Sequence, residues 1–187
     1  MKYAALAVLT AGVLLLLAPF GAGRSSNGSA GARGFNGTDV MFLQMMLPHQ
    51  GQAVKVARLA RRHPVRPEVR TLAAAIETTQ RGEARRIMER LRAWERPQRA
   101  PSDAHAAHGG VVPETTDAEI EALDRTPADR FERAFLNLLI AHQDDAVQLA
   151  RMETGRGQDA WTRQLARTVD RSRSAQITRM LALVGQG

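Results

Sequence analysis

The chain is written twice. FLQMMLPHQGQAVKVAR at residues 42–58 lies over FLNLLIAHQDDAVQLAR at residues 135–151, and Phe, Leu, His, Gln, Ala, Val, Ala and Arg recur in place at an offset of 93 residues. The offset continues downstream, where Leu72 lies over Leu165, Ala73 over Ala166, Ile76 over Val169 and Leu91 over Val184. An ungapped match across two helix-length segments indicates two copies of one αα-hairpin. A lone hairpin cannot bury both of its apolar stripes, so the copies are expected to pack as an all-α four-helix bundle with a pseudo-two-fold axis.

The helices announce themselves by period and punctuation. The first is expected from about Asp39 to Arg62, with Thr38 as N-cap and His63-Pro64 as the stop. The second runs from Pro67, suited to the first helical position, to about Glu95. The third follows Thr126, with Pro127 at its start, and ends at Gly155 and Gly157; the fourth covers about Gln158 to Val184. Thr116-Asp-Ala-Glu119 has capping-box form and predicts a short helix over 117–124. Pro48, in mid-helix, removes one backbone hydrogen bond and is expected to bend its helix.

Composition fits a bundle and removes several chemistries. Of the 187 residues, 44% are hydrophobic and only 4% aromatic, which suits Ala/Leu packing. Cysteine is absent, so disulfides, thiolate nucleophiles and Cys-ligated metals are excluded. The net charge of +7 comes almost wholly from scattered arginines, with Lys2 and Lys55 the only lysines. Scattered Arg reads as solvated helix faces, and nucleic acid is not an expected partner.

Lys2 precedes an uncharged run from Tyr3 to Gly23 that is Leu-rich at its centre and ends in Pro-Phe-Gly-Ala-Gly. This has the form of an export signal, with a retained membrane anchor as the alternative. Either places the body outside the cytoplasm, and the membrane is a partner only through that segment. The expected organisation is a signal peptide or anchor at 1–23, a Gly/Ser-rich tether at 24–37 and the bundle at 38–187. Within the bundle, 38–95 and 127–184 are the repeats, with 96–126 the linker.

Chemistry-bearing residues fall on the apolar faces. His49 shares a face with Phe42, Met45, Met46, Ala53 and Val56; His142 stands identically among Phe135, Leu138, Leu139, Ala146 and Leu149. They are either hydrogen-bonded core histidines or metal ligands. Met45 and Met46 are either core filler or soft thioether donors that would favour copper(I). Glu83 lies on the apolar stripe of the second helix and needs a His, Arg or metal partner if buried. Its copy is Gln176, and Arg173 replaces Gln80, so any site is asymmetric. Glu77 is expected to face solvent. His105 and His108 lie in a Pro/Ala/Gly-rich linker and read as solvated. There is no Glu-x-x-His, H-E-x-x-H, G-x-S-x-G or P-loop, so no catalytic residue is assigned and no enzyme is expected.

The pattern Asp39-x-x-Phe-x-x-x-Met-x-Pro-His49 with Ala53 and Ala57, then Gln80-x-x-Glu83, Met88 and Trp94, resembles the bacterial family catalogued as domain of unknown function 305. The second copy, Phe131-x-x-x-Phe-Leu with His142 and Ala146, fits the same pattern, and the likeness covers about residues 38–184. It implies a ferritin-like four-helix bundle, usually exported, some members of which are linked to periplasmic copper through His and Met ligands. The family's usual second His is Gln here, at Gln50 and Gln143, and Leu139 and Val111-Val112 stand where Met is common. The expected function is an exported, non-enzymatic bundle with a weak copper or other transition-metal site. Its ligands would be His49, His142, Met45 and Met46, with Glu83 as ligand or supporting group. The alternative is an envelope scaffold whose family site has degenerated.

Overall fold

The computed structural model describes residues 34–100 and 115–186. The N-terminal run, most of the tether, and His105 and His108 lie outside the described residues. The protein is all-α. Among the described residues there are four long helices, α1 (Gly37–Leu59), α2 (Pro67–Ala93), α4 (Ala128–Arg156) and α5 (Ala160–Val184), and one short helix, α3 (Asp117–Asp124). No strand occurs among the described residues, and none of their helices is long and apolar enough to cross a membrane.

Helix starts follow side-chain chemistry. Asn36, not Thr38, caps α1, because a capping box needs an acid three residues on. Asn36 has Asp39 there, and the two exchange side-chain-to-backbone hydrogen bonds of 2.6 and 3.1 Å. Thr38 would face Met41. Pro67 opens α2, whereas Pro127 sits one position earlier than expected, as the N-cap of α4. The Thr116–Glu119 box opens α3, and Asp159 caps α5 through the Thr162 N–H. α1 is continuous through Pro48.

α1 packs on α2 and α4 on α5, while α1 also meets α4 and closes the interior. One apolar cluster gathers Val56, Ile76, Phe131, Phe135 and Leu139; a second gathers Phe42, Met46, Ile87, Leu91 and Val169. Each fully buried Phe or Leu contributes about 1.5–3 kcal/mol of transfer free energy. α3 is tied to α1 by Lys55–Asp117 at 2.6 Å and to the turn after α1 by Arg62–Asp124 at 2.9 Å.

The polar contacts also come in pairs separated by 93 residues. Arg58 Nε bonds Glu77 at 3.0 Å, and Arg151 Nε meets Asp170 at 3.3 Å. Asp39, at the start of α1, accepts the N–H of Asp159, the N-cap of α5, at 3.0 Å. Glu132, at the start of α4, accepts the N–H of Arg66, the N-cap of α2, at 2.7 Å. In this second set each half therefore supplies the acid that holds the other half's second helix. Glu77 corrects the sequence expectation: it is buried, paired with Arg58 and Arg61, with Arg81 nearby. The Arg58 hydrogen bond, more than any other influence, holds its carboxyl below the usual range.

Candidate metal centre

α1 and α4 bring His49 and His142 together. Their rings stack with centroids 3.8 Å apart and planes 20° from parallel. Both are buried, 2% and 0% exposed. Thr115 Oγ1 lies 2.9 Å from His142 Nδ1, whereas His142 Nε2 and both ring nitrogens of His49 have no hydrogen-bond partner. Three orphaned ring nitrogens in one interior are costly unless something else satisfies them.

Burial is the main cause that lowers both imidazole pKa values, to about 4 for His142 and well below the usual histidine range for His49. The positive charge of Arg173 adds to it in both cases. Both rings are neutral at pH 7, the form in which imidazole ligates a metal.

Next along the interior is a polar layer built twice. Gln50 Nε2 donates to Glu83 Oε2 at 2.7 Å, and Gln143 Nε2 donates to Gln176 Oε1 at 2.5 Å. Arg173 reaches Gln50 Oε1 at 3.4 Å, and Gln80 reaches Gln143 Oε1 at 3.2 Å. The two triads are equivalent under the 93-residue offset, but one carries a buried ion pair, Arg173–Glu83, and the other is neutral. Burial depresses the Arg173 pKa and Glu83 opposes that shift.

The sequence-proposed ligands thus divide. His49 and His142 meet. Glu83 is buried with Arg173 and Gln50 as partners. Met45 and Met46, 8% and 0% exposed, pack in the apolar cluster around Phe42 and Leu91. Among the described residues no group of three or more His, Asp or Glu side chains is placed to hold a metal ion.

Two buried polar groups had no sequence signal. Thr115 belongs to the linker and reaches His142 only through the fold. Glu153 replaces the Ala60 of the first copy and is completely buried. Its pKa is raised to about 9, first by burial and then by the neighbouring Asp39 carboxylate. Asp39 accepts the backbone N–H groups of Asn36, Gln158 and Asp159. A Cβ on Gly157 would fall 1.9 Å from Glu153 Oε1, which explains the glycine at that turn.

Solved structures show the same fold. A DUF305 fragment from Deinococcus radiodurans is 28% identical, with a TM-score of 0.71, over 81% of this chain and 98% of that one. A DUF305 protein of Streptomyces coelicolor described as secreted is 26% identical, with a TM-score of 0.73, over 80% and 93%. CopM in a Cu(I)-bound form is 26% identical, with a TM-score of 0.66, over 79% and 96%; its Ag-bound and Cu(II)-bound forms also match. No curated protein sequence matches. The family model for the domain of unknown function DUF305 matches residues 39–184, nearly the whole of the helical body, and the chain belongs to that family.

Proposed function

We propose that this is an exported, non-enzymatic helical protein that binds copper(I) weakly at His49 and His142. The observation that carries the reading is the set of three buried, unpartnered ring nitrogens on two neutral imidazoles. If His142 donates Nδ1–H to Thr115, its Nε2 lone pair is free for a metal, a tautomer set by the supporting group. Thioether sulfur from Met45 or Met46, within one turn of His49, would complete a soft donor set. Copper and silver in CopM, and the secreted relative, support the same reading.

The stack would keep such binding weak. Imidazole lone pairs lie in the ring plane, and two nearly parallel planes do not aim them at one point. One ring must leave the stack for both to reach one ion. The alternative, a scaffold with a degenerate site, is favoured by Arg173, whose buried cation neutralises Glu83 and repels a metal from that side.

Titration of the purified protein with copper(I) against a chromogenic chelator tests the proposal. One equivalent should bind and raise the melting temperature. His49→Ala should weaken binding more than His142→Ala, because only α1 carries methionines in the preceding turn. Equal binding by the double variant and the wild type would end the metal reading.

A further inference from the structure

The end of the body where the chain enters carries a ladder of aromatic and guanidinium groups. Phe35 stacks on Trp94 with centroids 4.0 Å apart and planes 14° from parallel. Arg90 lies between the two indoles, its Cζ 5.4 Å from the Trp94 ring and 4.5 Å from the Trp161 ring. Arg96 covers the other face of the group, 5.9 Å from the Phe35 ring. Glu95, with φ 54°, makes the left-handed turn that sends Arg96 back over Phe35. A non-glycine residue in that conformation costs about 1 kcal/mol or more, so the ladder is held against local strain.

Both of the chain's tryptophans are in this ladder, and both are half-buried against the core. Beside them stand Arg92, in the last turn of α2, and Arg156, whose carbonyl accepts Asn36 Nδ2; both are exposed and have no side-chain hydrogen bond or ion pair among the described residues. Glu95 and, further along α2, Glu89 are the exposed acids nearby. The remaining acids turn away: Asp39 and Glu153 are buried, and Asp159 faces Arg90. The surface is therefore a basic rim around amphipathic rings. Tryptophan with arginine is the composition that settles at a bilayer's headgroup layer, where rings enter the interface and guanidinium groups meet lipid phosphates.

We infer that this end of the body docks on an anionic bilayer surface. The chain's own order agrees. Phe35 follows the apolar run ending at Gly23 by a tether that spans at most roughly 40 Å when extended. A run held in a bilayer would thus present this end, within reach, to the same membrane. The inference does not depend on the histidine pair or on any metal.

Because no tryptophan lies elsewhere, intrinsic fluorescence reports on this end alone. The full chain is reconstituted into vesicles of phosphatidylglycerol and phosphatidylcholine, and into vesicles of phosphatidylcholine alone, each with brominated acyl chains. The expected result is a blue-shifted emission quenched by the brominated lipid in the anionic vesicles only. Arg92→Glu and Arg156→Glu together should abolish the quenching while leaving the helical circular dichroism and melting temperature unchanged. Emission that brominated lipid does not quench, or quenching equal in neutral vesicles or in the double variant, would overturn it. Tighter binding to a DNA duplex than to anionic vesicles, lost with the same arginines, would overturn it in favour of nucleic acid.

Discussion

His49 and His142 occupy equivalent positions in the two halves and meet face to face at 3.8 Å, as neutral rings. Their depressed pKa values couple protonation to unfolding. A histidine whose folded pKa lies below its unfolded value adds stability above about pH 6.5, and that stability is lost as pH falls toward the folded value. For His142 alone, a drop to about 4 corresponds to on the order of 3 kcal/mol. Urea melts between pH 7.5 and 4 should show falling stability, and the loss should shrink in a His49→Leu, His142→Leu double variant. A flat profile in the wild type would contradict the buried stack.

The two polar triads supply their own control. Arg173→Gln leaves the Glu83 carboxylate buried without its cation and should cost about 3–5 kcal/mol. Adding Glu83→Gln converts this triad to the side chains of Gln80, Gln143 and Gln176. The double variant should recover most of the loss, to within about 1 kcal/mol of wild type. Additive losses in a denaturation cycle would show that the triads are not interchangeable.

Glu153 acts with the opposite sign. Its folded pKa of about 9 lies above the unfolded value, so its contribution is complete below about pH 4.5 and is lost as pH rises through 9. Glu153→Gln removes the titration. Its stability should stay level between pH 7 and 9.5 while that of the wild type declines, as measured by chemical denaturation at each pH.

Gly157→Ala should destabilise the protein by about 1–3 kcal/mol, because the new methyl group overlaps Glu153 Oε1. The φ of Gly157 is −68°, accessible to alanine, so the cost is steric. Combining it with Glu153→Ala, which removes the side-chain overlap but leaves the 2.7 Å approach to the Glu153 carbonyl, should give a loss smaller than the sum of the two. Thermal melts of the four proteins decide it.

Helix existence was legible because period and capping are local. Thr116–Glu119 and Pro67 mark their helix starts in any fold. The meeting of His49 with His142 was legible because a repeat makes equivalent residues converge near its axis. What the offset could not tell is which half each polar group serves. Glu77 looked solvated because its cover comes from Arg58 and Arg61, on the neighbouring helix and just beyond its end. Asp39 opens the first helix in the sequence, and only the fold shows that it also holds the α5 cap. Glu153 carries no sequence signal, because the Asp39 beside it lies 114 positions earlier.

The exchanged caps have a historical consequence. Asp39 reaches the second helix of the other half, and Glu132 does the same in return. A hairpin carrying both partners would satisfy every such contact by pairing with its own twin, as an isologous homodimer. Joining the two copies in one gene keeps that geometry and frees each copy to vary alone. The interior shows the use made of that freedom: a homodimer must place Arg and Glu at both poles or at neither. The fused chain keeps charge at Glu83 and Arg173 and leaves glutamines opposite. The two-copy chain thereby has an interior with two distinguishable sides.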